Sequence, residues 1–208
     1  MEAQTAVVTP PAPVRVEVRY PERLSRWHLL LKSFFGWLYV GIPHGIVLYV
    51  LGILAGVATL VAFLAILFIG EYPRGLFDFV VRVRQWSLRV LAYGTYYMTD
   101  RYPPFAMVAP DYPATLEIAY PERLSRGHAL LKLLLGWLYV GIPHGIALLL
   151  YSVAALVALI IAWFAILFTG RFPRGMFDFI AGLLRWQERV NAYLSFMRDE
   201  YPPFSGRP

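Results

Sequence analysis

Residues 24–70 form one long apolar run, broken only at Gly41-Ile-Pro-His-Gly45, and residues 124–170 repeat both the run and its interruption. Proline disfavours helical backbone at the residue before it and suits the first turn of a new helix. The pattern therefore predicts a turn at the interruption and a helical hairpin in each run, with arms at 24–42 and 43–69 in the first. At about 1.5 Å per residue the arms are roughly 28 Å and 40 Å long, enough to cross a hydrocarbon layer of ~30 Å, the second arm with a tilt. Behind each hairpin the period changes. Between Pro73 and Met98 the residues Asp78, Arg82, Gln85 and Arg89 recur at helical intervals as one polar stripe, with Phe77, Val80, Val81, Leu88 and Leu91 elsewhere around the helix. Residues 174–198 repeat the stripe with Asp178, Arg185 and Arg189. Ahead of each hairpin, apolar and charged residues alternate over 14–20 and more weakly over 115–119, which reads as a half-buried strand able to pair with its duplicate.

The chain is thus a duplication. Aligned at a constant offset, residues 20–93 and 120–193 are identical at more than half of their positions, far more than two apolar stretches share by composition. The retained segments are Tyr-Pro-Glu-Arg-Leu-Ser-Arg (20–26, 120–126), Gly-Trp-Leu-Tyr-Val-Gly-Ile-Pro-His-Gly-Ile (36–46, 136–146), Pro-Arg-Gly-x-Phe-Asp-Phe (73–79, 173–179) and Tyr-Pro-Pro-Phe (102–105, 201–204). Residues 47–64 and 147–164 have diverged while staying apolar. The predicted organisation is a disordered tail over 1–13, a first repeat over 14–105, a linker over 106–113, a second repeat over 114–204 and a tail over 205–208. Its predicted fold class is an all-α integral membrane protein of two tandem transmembrane hairpins, four spans in all, each with a short strand before it and an interfacial amphipathic helix after it.

Composition strengthens the membrane reading. The 208 residues are 59% hydrophobic and 15% charged, and no Asp, Glu, Lys or Arg falls within residues 33–70 or 133–170. The polar, Pro-rich start lacks the basic and apolar regions of a cleavable signal peptide. Two rivals to the hairpin are a re-entrant first arm and a single long kinked span per copy, which would invert the second unit; hairpins would keep every arginine of both copies on one side of the membrane, as a cytoplasmic excess of basic residues requires. That places the expected location in the bacterial inner membrane, multi-pass, with both termini cytoplasmic. The net charge of +6 is explained by arginines flanking the spans, without a nucleic-acid partner. Lys32 and Lys132, two turns into the first arms, are expected to snorkel to the interface.

At the Ile-Pro-His, Ala-Ile-Leu-Phe-x-Gly-x-x-Pro-Arg-Gly and Tyr-Pro-Pro-Phe segments the chain resembles a bacterial membrane family known as domain of unknown function 4389. The resemblance covers nearly everything after Pro13. It implies a shared fold and carries no activity to transfer.

Candidate chemistry is sparse. With no cysteine, disulfides, thiolate metal sites and cysteine nucleophiles are absent. His28, His44, His128 and His144 are the only candidates for haem or metal ligation, and His44 with His144 is the sensible pair. The competing reading makes each a polar cap beside its turn. Asp78 and Asp178 lie one helical turn from Arg74 and Arg174 and predict structural ion pairs. Arg74, Arg82, Arg89, Trp86, Arg174, Arg185, Arg189 and Trp186 are the expected lipid or partner interface, with basic groups toward anionic headgroups; the competing reading packs each helix on the protein's own hairpins with its arginines solvated. No phosphate loop, nucleophile constellation or close carboxylate pair is present.

The expected function is therefore non-catalytic, with no cofactor: an accessory or scaffold subunit that binds anionic lipid, other membrane subunits or a second copy of itself. A small transporter or channel with its site at the repeat interface is the first alternative, and a haem-binding or enzymatic membrane subunit the second.

Overall fold

The computed structural model of the protein describes residues 12–208, so most of the tail expected over 1–13 lies outside the described residues. Among the described residues the chain is mostly helical, with two long apolar helices and one small two-stranded sheet.

The turn expected at Gly41–Gly45 does not form. Helix α1 runs without a break over Arg26–Ile69, and its duplicate α3 over Arg126–Thr169, each 44 residues long. The hairpin reading is corrected here, and the reason is local. Pro43 has no N–H to give to the carbonyl of Tyr39, but a helix can absorb such a defect by widening for one turn. Trp37–Gly41 and Trp137–Gly141 are π-helical, with the Ile42 N–H reaching back five residues to the Trp37 carbonyl. Gly41, at φ −59° and ψ −50°, stays helical although it lies just ahead of the Ile-Pro step.

Each long helix ends where glycine allows a left-handed residue: Gly70 at φ +76° and Gly170 at φ +71°. Proline then starts the next helix, α2 over Arg74–Val90 and α4 over Arg174–Leu194. In the first copy α2 runs on into a second kind of π turn, Leu91–Thr95; in the second copy α4 stays regular. The expected strands exist as β1 (Val14–Val18) and β2 (Ala114–Ile118), paired antiparallel with Val16 opposite Leu116 at the centre.

The two copies contact each other reciprocally. The Leu24 N–H donates to the Gly170 carbonyl and the Leu124 N–H to that of Gly70. Arg26 reaches the Phe168 carbonyl and Arg126 that of Phe68. Tyr20 donates to Phe172 while Arg174 lies over the Tyr20 ring, and Tyr120 donates to Tyr72 beneath Arg74. So the start of each long helix meets the end of the other, and a local twofold axis passes through the Val16–Leu116 pair.

Three layers stack along that axis. One face of the sheet, carrying Arg15, Glu17 and Glu117, is exposed, while Val14, Val16, Leu116 and Ile118 point inward. Beneath lie α2 and α4, joined to the strands by Gln85 Nε2 to the Leu116 carbonyl and by Arg185 Nε to that of Val16. The long helices form the third layer. Ala58, Ala62, Phe63 and Ile66 face inward, while Ile46, Val50, Ile53, Val57, Leu60, Leu64 and Phe68 lie on the opposite, uncovered face.

Candidate functional site

Two of the retained segments, 36–46 and 102–105, meet at the π turn of the first long helix, and 136–146 with 201–204 at that of the second. His44, the first inward side chain beyond the first of these turns, is fully buried. Trp86, from the middle of α2, donates its indole N–H to His44 Nδ1 at 3.0 Å. An acceptor at Nδ1 fixes the neutral tautomer with hydrogen on Nε2. That hydrogen points at the Tyr102 hydroxyl, 3.1 Å away, and the hydroxyl donates in turn to the Tyr39 carbonyl at 3.0 Å. The carbonyl so served is the one that Pro43 leaves without its usual helical donor. Phe105 stacks on the imidazole, centroids 3.9 Å apart and planes within 11°.

The second copy rebuilds the same cluster. Trp186 donates to His144 Nδ1 at 3.0 Å, Tyr201 to the Tyr139 carbonyl at 3.1 Å, and Phe204 stacks on His144 at 3.9 Å. One link is missing: His144 Nε2, equally buried, has no hydrogen-bond partner within reach.

Beside each cluster lies an ion pair between a buried lysine and a half-buried aspartate. Lys32 does not snorkel, because its side chain is enclosed by the protein and donates to the Thr99 carbonyl (2.9 Å) and to Asp100 (3.0 Å), over the Tyr93 ring. Asp100 also accepts from the Ser25 N–H at 2.6 Å, at the start of α1. Lys132, Asp199, Tyr193 and Ser125 repeat the arrangement. A lysine burying its charge this deeply needs a matched carboxylate, and here one aspartate ties the helix start to the Tyr-Pro-Pro-Phe segment. Tyr39 and Tyr93 complete the set with hydroxyls 3.0 Å apart. Burial first, and then the neighbouring Tyr39 hydroxyl, pushes the Tyr93 phenol above its ordinary range.

The expected interface residues divide. Trp86, Trp186 and Arg89 are buried, which corrects their assignment to a lipid or partner surface. Their polar atoms serve the interior, Arg89 bonding the Ala106 and Met107 carbonyls. Arg185 and Arg189 are half-buried and bind the carbonyls of Gly206 and Ser205 in the C-terminal segment. Arg74 and Arg174 are exposed at their helix starts, and Arg82 is exposed midway along α2. Asp78 and Asp178 do pair with Arg74 and Arg174, at 3.3 and 3.5 Å. Across the copies, Arg84 bridges to Glu188 at 3.3 Å and to the Ser195 hydroxyl at 2.6 Å. Burial pushes the Glu188 carboxyl above the usual carboxylate range against the opposing pull of Arg84.

His44 and His144 are not brought together: each imidazole is enclosed by the tryptophan, tyrosine and phenylalanine of its own copy. His28 and His128 lie exposed at the starts of α1 and α3. Among the described residues no group of three or more His, Asp or Glu is placed to hold a metal ion. Sequence reasoning missed Asp100, Asp199, Tyr93 and Tyr193. Their signal was present, because each acid precedes Tyr-Pro-Pro-Phe by two residues in both copies.

Comparison with known proteins adds one finding. The family model described as "Domain of unknown function (DUF4389)" matches residues 32–107 and again residues 131–206. No curated protein and no solved structure matches the chain.

Proposed function

The chain belongs to the DUF4389 family, as two tandem copies, and we propose that it is a non-catalytic protein of the bacterial cytoplasmic membrane, an accessory or scaffold subunit that holds anionic lipid and docks on other membrane proteins. One observation carries the reading. Two 44-residue helices turn outward a surface that has no charged group from residue 33 to 70 or from 133 to 170, and water is a poor solvent for such a surface. The exposed Arg74, Arg82 and Arg174 support contact with anionic headgroups, and the basic excess of the polar layer favours the cytoplasmic side for both termini.

The state of the polar groups supports a scaffold over a catalyst or a conduit. A permeation path would draw on Ser33, Tyr39, His44, Tyr49 and Thr59. Ser33 bonds Leu29 and Trp163, Tyr39 bonds Tyr93, His44 bonds Trp86 and Tyr102, and Thr59 bonds its own helix, so only Tyr49 projects outward unengaged. Extraction of the native membrane with a mild detergent is the test. The protein should leave the membrane only with detergent and should co-migrate with a protein partner or with anionic phospholipid. A lone monomer free of both, or a protein soluble without detergent, would overturn the proposal.

A further inference from the structure

We infer that the protein sits in a single leaflet, with both long helices lying along the membrane and the local twofold axis along its normal. The inference rests on the membrane reading above and adds to it the lipid surface that is occupied. Length is the first argument. The charge-free part of each long helix, residues 33–69, is roughly 55 Å at about 1.5 Å per residue, nearly twice a hydrocarbon thickness of ~30 Å. Laying that length across the bilayer demands a tilt near 60°, beyond the roughly 40° that membrane helices reach. Two crossings would use the length, but α1 and α3 do not turn back at Pro43 or Pro143.

Symmetry is the second argument. The two long helices are antiparallel about an axis that passes through the Val16–Leu116 pair. Were they to cross the membrane, that axis would lie in the bilayer plane at mid-depth, and the sheet with it. Arg15, Glu17 and Glu117 on the open sheet face would then stand in hydrocarbon, where ionised side chains are strongly disfavoured. Turning the axis along the normal removes the conflict. The charged sheet face then meets water, and α2 and α4 lie beneath it. The outward faces of α1 and α3 enter the acyl chains, and Arg23, Arg26, Arg123 and Arg126 stand at headgroup level at the helix starts.

The chain contains no cysteine, so single cysteines report position cleanly. Six full-length variants in native membranes are reacted with a membrane-impermeant maleimide, from the outside in spheroplasts and from the inside in inverted vesicles. Glu22→Cys, Glu117→Cys and Glu122→Cys should all react on one face and none on the other. Gly45→Cys, Ile53→Cys and Gly145→Cys should react on neither face until detergent is added; Gly45 and Gly145 have open space for the new side chain. Labelling of residues 22 and 122 from opposite faces would overturn the inference in favour of inverted crossings, and labelling of residues 45 and 145 from the far face in favour of hairpins. Both results leave the protein in the membrane. Recovery of the Ile53→Cys protein in the soluble fraction, reactive without detergent, would sink the membrane reading beneath it.

Discussion

Two neighbouring stretches of the same long helix behave differently between the copies. Residues 36–46 are identical to 136–146, including Trp37, Leu38 and Ile42, which are exposed. Residues 47–64 match 147–164 only at Leu48, Ala55, Val57, Ala58 and Ala62, and all of these except Val57 face inward. In the regular stretch, then, the matches gather on the inner side. Its outer side needs hydrocarbon character and no particular shape. Around the π turn the backbone is irregular, so each side chain that completes it must have a specific donor or ring. Nothing in the structure explains why exposed Leu38 and Ile42 are also kept.

The contrast is broken most severely at the residue that closes the turn. Trp86→Ala removes a buried indole and leaves His44 Nδ1 without its donor, so the loss of stability should be about 3–5 kcal/mol. Trp186→Ala should cost a similar amount, since the geometry repeats at 3.0 Å. Denaturation in detergent followed by circular dichroism checks both. A loss under ~1 kcal/mol would mean that the cluster does not hold the turn.

How much of this was legible depended on whether a signal was local. The strands, their pairing, the stripe on α2 and the Arg74–Asp78 pair follow from spacing, and they are present. The turn at Pro43 was misread because proline reports a lost hydrogen bond and says nothing about its replacement. That replacement, Tyr102, lies about sixty residues away. Lys32 was misread for the same reason, with Asp100 distant in sequence. One signal was local and still passed over. The copies keep an offset of one hundred as far as Tyr93, but Asp100 matches Asp199, so the first copy holds one extra residue. A single inserted residue in a helix is what a π turn accommodates, and Leu91–Thr95 is that turn. Tyr97 and Phe196, both at positive φ, then realign the copies, and Met98 and Met197 bond the Ala92 and Ala192 carbonyls.

A smaller effect should separate the two copies at the cluster itself. Tyr102→Phe deletes a hydroxyl that accepts from His44 and donates to the Tyr39 carbonyl, and leaving the buried imidazole and that carbonyl without it should cost about 1–3 kcal/mol. Tyr201→Phe strands only the Tyr139 carbonyl, because His144 Nε2 is already without a partner, and should cost about 1 kcal/mol. Equal losses in the two variants would show that the asymmetry in the hydrogen bonding has no energetic counterpart.

The smallest effect belongs to the uncovered side of the helix. Tyr49→Leu, Val50→Leu, Ile53→Val and Leu54→Ala made together give the first copy four outward residues of the second, while Leu51, which corresponds to Tyr151, is left alone. Tyr151 is excluded because it turns inward, stacking on Phe179 and donating to its carbonyl at 3.0 Å. The four substituted positions are exposed and make no side-chain hydrogen bond within the protein, so stability in detergent should stay within about 0.5 kcal/mol per site. Membrane retention should not change, because both sets of residues are apolar. A large loss would mean that the divergent surface packs against something of defined shape, a protein partner or the second copy of a dimer in place of fluid lipid. Replacing Ile53 alone with Lys sharpens the point: the fold should survive in detergent, where a charge on an open face costs little, while the protein's hold on the membrane weakens.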